Sequence, residues 1–205
     1  MCILFAPFTK NNMAKVKIND AKVLSDKHYV LKQYDYEYQK KDGEWQSYKR
    51  EVFDHGNAVS ALLYNKEHKT VILTRQFRIA TYVNGNKDGM LVEACAGLLD
   101  KSSETPEEAI KREIKEETGY EIADVQKAGQ AYTSAGSLTE LIYLYVAPYT
   151  NEQQVSQGGG LQKEGEDVEV MEIPFEKAIQ MLEKGEIQDA KTIMLLQYAQ
   201  LKRLI

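Results

Sequence analysis

Three glutamates, Glu113, Glu116 and Glu117, lie close together in the run Arg112-Glu113-Ile114-Lys115-Glu116-Glu117-Thr118-Gly119. On a helix of 3.6 residues per turn they occupy an arc of roughly 100°. Glu113 and Glu117 border the apolar stripe of Ile110 and Ile114, so their carboxylates aim toward the edge of a core. Like charges one turn apart repel, and acids at the carboxyl end of a helix oppose its dipole. A bound cation offsets both penalties. Carboxylate oxygens suit a hard divalent ion such as Mg²⁺, which commonly shares its ligands with substrate phosphates, whereas zinc calls for histidine or cysteine that this segment lacks. The plainer alternative is a solvated helix in which Glu107 pairs with Lys111 and Glu108 with Arg112 at i,i+4 spacing. The helix taken alone does not separate the two.

Clear signals mark its ends. In Thr105-Pro106-Glu107-Glu108 the threonine can cap, the proline suits the first helical position and Glu108 completes a capping box. Gly119 supplies a left-handed stop after Thr118. Around this helix, Ala58 to Tyr64, Thr70 to Thr74 and Leu141 to Val146 are rich in β-branched and apolar residues and read as central strands. Phe175 to Lys184, closed by Gly185, and Asp189 to Leu204, with Asp189 as cap, have helical apolar spacing. The expected class is α/β or α+β, a sandwich of strands and helices in irregular alternation. Upstream, His28 to Tyr38 and Trp45 to Phe53 alternate around the Asp42-Gly43 turn and predict a β-hairpin. It is too polar and tyrosine-rich to bury as a core hairpin, so residues 14–55 are expected to form an accessory β-unit, residues 56–205 the main domain and residues 1–13 a disordered tail. Between Thr150 and Asp167 the Gly158-Gly159-Gly160 triplet and a cluster of acids suggest either a mobile functional loop or a passive linker.

Composition narrows the partners. A formal charge of −5, from 31 acids and 26 bases with no long basic run, excludes a phosphodiester-tracking surface and hence nucleic acid. The only cysteines, Cys2 and Cys95, form no Cys-x-x-Cys pair, which fits a reducing, cytoplasmic setting. Met1 to Phe8 is apolar but too short to span a bilayer, and no membrane contact or export signal is expected. Neither a Walker loop nor a Gly-x-Gly-x-x-Gly fingerprint is present.

The string Gly97-Leu98-Leu99-Asp100, then Glu104, then Arg112 through Gly119 and Tyr120 resembles the box of the Nudix hydrolases. The family pattern has five residues between its glycine and first glutamate and seven before Arg-Glu; this chain has six, then seven. The extra residue falls in the Lys101 to Ser103 turn, so the helical acids keep their register. Beyond the box, Lys49-Arg50-Glu51, Arg75-Gln76-Phe77-Arg78, Asn84-Gly85-Asn86, Glu93-Ala94-Cys95-Ala96-Gly97 and Gly158-Gly159-Gly160 are similar to the bacterial GDP-mannose pyrophosphatase group within that family.

The resemblance implies a Mg²⁺-dependent (or Mn²⁺-dependent) pyrophosphatase acting on a nucleoside diphosphate sugar. It implies metal ligation by Glu113, Glu117, Glu166 and the backbone oxygen of Ala96, with Arg112 orienting the glutamates and Glu116 beside them. Substrate contacts would come from Arg78, Gly97, Leu98, Glu117, Glu140, Gly165, Glu166 and Lys191, and from His28, Lys49, Arg50 and Glu51 of an accessory unit exchanged within a homodimer. Glu164, Glu166 and Asp167 all remain candidates for the general base. ADP-ribose is the rival substrate, and a nucleotide-sensing module without turnover the rival class.

Overall fold

The structure, a computed structural model, describes residues 15–101, 103–161, 163 and 165–205. The tail expected over residues 1–13 and the candidate base Glu164 lie outside the described residues. The chain divides into two compact units.

The first unit comprises residues 15–55 with 136–138. It is a three-stranded antiparallel sheet in the order β1 (Val16–Asp26), β2 (Val30–Gln39), β3 (Trp45–Asp54). The hairpin joining β2 to β3 turns at Asp42-Gly43, where Gly43 has φ +90° and the Asp42 carboxylate accepts from the Glu44 amide at 2.9 Å. Tyr36 stacks on Tyr48 across this pair, so the tyrosines serve sheet packing. Strand β1 is not marked by the sequence pattern, because two register shifts interrupt its alternation.

The second unit, residues 56–135 with 139–205, is a mixed seven-stranded sheet between helices. Its spine runs β10 (Glu169–Pro174), β5 (Thr70–Phe77), β4 (Ala58–Asn65), β9 (Leu141–Pro148), β8 (Gln126–Tyr132), with β6 (Met90–Glu93) on β5 and β7 (Cys95–Leu98) on β4. Every residue of β4 is buried, which explains its near-continuous apolar run. Alternation of side chains splits that run between two cores. Leu62 and Tyr64 join Val71, Leu73, Leu144 and Val146 beneath α3 (Phe175–Glu183) and α4 (Ala190–Lys202). Val59, Ala61 and Leu63 join Ile72 and Tyr145 beneath α2 (Pro106–Glu113). The result is the expected sandwich, with a short helix α1 (Ile79–Val83) on the β5–β6 connection that periodicity did not mark.

Helix α2 begins as its capping box requires: the Glu108 amide donates to Thr105 Oγ1 and the Thr105 amide to Glu108 Oε2. Ala109, Ile110 and Ile114 seat it on the sheet, each fully buried. The expected single α-helix to Thr118 is corrected in one respect. From Ile114 to Thr118 the coil widens into a π-helical turn, closed by Gly119 at φ +81°. The Thr118 hydroxyl donates to the Ile114 carbonyl at 2.6 Å inside this turn, a side-chain competitor for the helical ladder.

Replacing Thr105 by alanine removes the acceptor of this cap. It is expected to cost about 1 kcal/mol and lower the melting temperature by roughly 2–4 °C, measured by calorimetry; an unchanged midpoint would show that the sheet contacts alone define where α2 starts.

Candidate functional site

Seating α2 through Ile110 and Ile114 carries the glutamates of the same face to the edge of the sheet. Glu117 is 2% exposed and Glu113 9%. Glu117 Oε2 accepts from the Ala96 amide at 3.2 Å and is also engaged by the Cys95 thiol. Glu113 lies against Gly97, where an added Cβ would stand 2.0 Å from the glutamate's Cδ. Glycine is therefore required at position 97 for space: it lets β7 and α2 close on each other with a carboxylate between them.

Arg112 organises the opposite side. Its Nε and Nη2 donate to the two oxygens of Glu104, both at 3.1 Å, and its Nη1 donates to Glu113 Oε1 at 2.7 Å and Glu116 Oε2 at 2.9 Å. One guanidinium thus ties three carboxylates together. The solvated pairing of Glu108 with Arg112 is not made, because Glu108 is committed to the cap. Glu104, despite the extra residue in the turn before it, reaches Arg112 in a bidentate fork that holds the Glu104 carboxyl below its ordinary range.

The glycine triplet is docked on the helix end. Gly159 and Gly160 donate their amides to the carbonyls of Glu117 (2.8 Å) and Glu116 (3.1 Å), supplying partners that the last turn lacks. All three glycines have positive φ, and a Cβ on Gly158 would lie 2.3 Å from the Glu117 carbonyl oxygen. The segment then turns back so that Glu166 Oε2 accepts from the Leu161 amide at 2.8 Å, and a Cβ on Gly160 would meet that same oxygen at 2.6 Å. These contacts correct the picture of a passive linker: backbone amides of the triplet cap the π-turn that bears Glu116 and Glu117.

Burial decides the electrostatics. Loss of water pushes Glu113 up to about 7, against the pull of Arg112. It pushes Glu117 to about 7 despite the Cys95 and Ala96 donors, and the charge of Glu166 raises both further. Among the described residues no three His, Cys, Asp or Glu side chains form a ready-made metal cage. The donor set is two buried carboxylates with a third coupled to them through space, hard oxygens suited to a divalent ion. The soft group nearby among the described residues, Cys95, faces Glu117 and is held in its thiol form by burial.

The remaining expected contacts fall in two places. In the second unit, Arg78 Nε and Lys191 Nζ both bind Glu93, at 2.7 and 2.5 Å, and Lys191 also reaches Asp189 at 2.9 Å. Glu140 accepts from the Thr133 hydroxyl. Gly97 and Leu98 sit on β7 with Ala96, and Gly165 takes φ +78° beside Glu166. His28, Lys49, Arg50 and Glu51 belong to the first unit, where His28 packs on Tyr29, Lys49 pairs with Asp35 at 2.6 Å and Arg50 lies over Tyr48. Sequence reasoning gave Glu93 and Thr192 no role. The available signal was a lone acid in the apolar run Met90-Leu91-Val92-Glu93-Ala94-Cys95-Ala96, which implies a buried and therefore paired charge.

An α/β/α sandwich with a carboxylate-bearing helix packed on a glycine of a short strand defines the class of this site. Residues 54–196 match the model of the NUDIX domain, and residues 15–53 match that of the GDP-mannose pyrophosphatase NudK N-terminal domain. The chain belongs to the Nudix family of hydrolases. It is 49% identical over 191 residues to the GDP-mannose pyrophosphatase of Enterobacter sp. (strain 638), covering 93% of this chain and 98% of that protein. With the GDP-mannose pyrophosphatase of Escherichia coli O157:H7 it is 50% identical over 184 residues, 90% of this chain and 94% of the other. A crystal structure of an ADP compounds hydrolase shares the fold with a TM-score of 0.68 at 18% identity, over 94% of this chain and 96% of that one.

Carboxyls raised to about 7 against an ordinary 4.5 hold protons in the folded protein that the unfolded chain has already shed. Ionising them therefore costs stability as pH rises through that window, and the cost is complete above about 7. A divalent ion relieves it by binding the ionised pair. Metal added to chelator-treated protein is accordingly expected to raise the melting temperature clearly more at pH 8 than at pH 6; equal shifts would mean that the ion binds elsewhere.

Proposed function

We propose that this chain hydrolyses the pyrophosphate of a nucleoside diphosphate sugar, with GDP-mannose, cleaved to GMP and mannose 1-phosphate, as its substrate and Mg²⁺ as its ion, Mn²⁺ being a substitute. The observation that carries the reading is the desolvated pair Glu113 and Glu117 beside Gly97, in a chain about half identical to GDP-mannose pyrophosphatases along nearly its whole length.

Glu113, Glu117, Glu166 and the Ala96 carbonyl oxygen would hold the ions, which when bound polarise the phosphoryl oxygens and make the attacking water more acidic. Arg112 restrains Glu113 and Glu116 so that neither swings into solvent. Arg78 and Lys191 present cationic donors to the pyrophosphate, and Glu140 accepts from the nucleoside or sugar. Among the described residues Arg78 is engaged through Nε alone, so its two Nη groups would be available as a planar fork matched to phosphate oxygens. Water adds to the phosphorus as the bridging P–O bond breaks and the sugar phosphate leaves, and a loop acid, Glu166 or Asp167 among the described residues, would receive the proton.

The working form on this reading is a homodimer whose first units are exchanged, bringing Lys49, Arg50 and Glu51 of one copy to the site of the other. Val16, Ile18 and Val23 on β1 are at least half exposed, an apolar surface of the kind a second copy would cover. No described helix is long and apolar enough to cross a membrane. We place the enzyme in the cytoplasm, where Cys95 stays reduced.

Purified protein with Mg²⁺ is expected to release GMP from GDP-mannose well ahead of AMP from ADP-ribose or UMP from UDP-glucose, and to stop on chelation. Preference for ADP-ribose would replace the substrate and retain the reaction; release from none would overturn the assignment. Glu117→Gln, close in volume, is expected to lower kcat by at least a hundredfold while sedimentation still reports a dimer; near-normal turnover would remove Glu117 from the metal site.

A further inference from the structure

We propose that Glu93 is a positioning residue: it sets the directions in which Arg78 and Lys191 present their free donors to the substrate's phosphates, with Asp189 as second anchor. This rests on the reading of those two cations as substrate contacts. Glu93 lies at the end of β6, its side chain 4% exposed, in a stretch otherwise apolar. Its two oxygens are divided between two cations, Oε2 accepting from Arg78 Nε at 2.7 Å and Oε1 from Lys191 Nζ at 2.5 Å.

What each cation retains follows from donor geometry. A guanidinium held through Nε has its plane and direction restricted, and the end-on edge formed by its two Nη groups stays open to other acceptors. In Arg78 they have no partner among the described residues, and the side chain is 41% exposed. An ammonium has three protons. Lys191 gives one to Glu93 and one to Asp189 Oδ1, leaving one over, on a side chain 12% exposed. Two cations on one carboxylate and a second carboxylate on the lysine leave the cluster with no net charge, two formal positive against two negative. It therefore draws in a polyanion through directed donors rather than through surplus charge.

Asp189 also ties the cluster to the strand that leads to the metal site. Its Oδ2 accepts from the Thr192 amide at 2.9 Å and the Thr192 hydroxyl at 2.5 Å, capping α4, while Thr192 Oγ1 accepts from the Ala94 amide at 2.6 Å. Ala94 directly follows Glu93 and stands two residues before Ala96. The same short segment thus fixes the cations at one end and the carbonyl and carboxylates at the other. Arg78 also feels the charge of Glu117, so the two halves lie within electrostatic reach. The spacing between the phosphate donors and the Ala96 carbonyl then runs through residues 93–96.

The test is steady-state kinetics of the full-length protein with Mg²⁺ and GDP-mannose. Glu93→Gln keeps the shape but can no longer hold two cations, and is expected to raise KM at least tenfold with kcat within about threefold and an unchanged Mg²⁺ requirement. Arg78→Ala and Lys191→Ala should each raise KM comparably, and Glu93→Gln combined with Arg78→Ala should raise it by less than the product of the two single effects, since both substitutions remove the shared Glu93–Arg78 interaction. Glu93→Asp is expected to recover part of the affinity. If Arg78→Ala and Lys191→Ala raise KM while Glu93→Gln leaves it within twofold, the positioning role is overturned and the contacts stand. If those two alanine variants leave KM unchanged, the substrate-contact reading itself fails and this inference with it. Asp189→Asn retains a cap for Thr192 but weakens the hold on Lys191. It serves if Glu93→Gln does not fold: a KM rise of threefold or more supports the inference, and an unchanged KM overturns it.

Discussion

Two carboxylates kept side by side out of water constrain everything else in the second unit. Glu113 and Glu117 are one turn apart, nearly buried and pushed to about 7, an arrangement no isolated helix would adopt. Packing of Ile110 and Ile114 on the sheet forces the burial, because the stripe that seats the helix adjoins the face that carries the acids. A glycine at position 97 is the spatial complement of that decision. The raised protonation range is its electrostatic consequence, and a site that gains from a cation is its chemical one.

Around the pair, the protein supplies opposite charge and backbone dipoles in separate layers. Arg112 gathers Glu104, Glu113 and Glu116 on the solvent side. The amides of Ala96, Gly159 and Gly160 face the core side and the helix end, the last two neutralising carbonyls that would otherwise repel anions at that terminus. The π-turn at Ile114–Thr118 sits where these layers meet. Widening the coil there is tolerated because Gly159 and Gly160 return the bonds that the end of the helix does not make internally.

A second charge cluster, Arg78 with Glu93, Lys191 and Asp189, repeats the logic with the signs exchanged: acids are the buried anchors and cations carry the free donors. Residues 93–97 lie between the two clusters, one acid followed by four small residues. Cys95 and Ala94 are fully buried, and larger side chains would separate β7 from the elements it joins. On the proposed function, this spacing would suit a substrate whose two phosphates meet cations and metal ligands together.

Local chemistry was legible in the sequence wherever a residue's type alone sets the backbone or the partner. The Thr105 cap, the Gly119 stop, the Asp42-Gly43 turn, the Asp189 cap and the largely apolar β4 all follow from rules that act within a few residues. The spacing of Glu113 and Glu117 beside Ile110 likewise announced carboxylates at a core edge, and the match to the Nudix pattern followed from it. Tertiary structure alone decided the rest. Strand β1 and the short β6 and β7 leave weak periodicity because neighbours, not their own alternation, hold them. Glu104 on Arg112, the glycine triplet on the π-turn and Glu93 between Arg78 and Lys191 join residues 8 to 98 positions apart. Such pairings depend on which faces the sheet brings together and on how much water packing removes, quantities that arise only once the whole unit has closed.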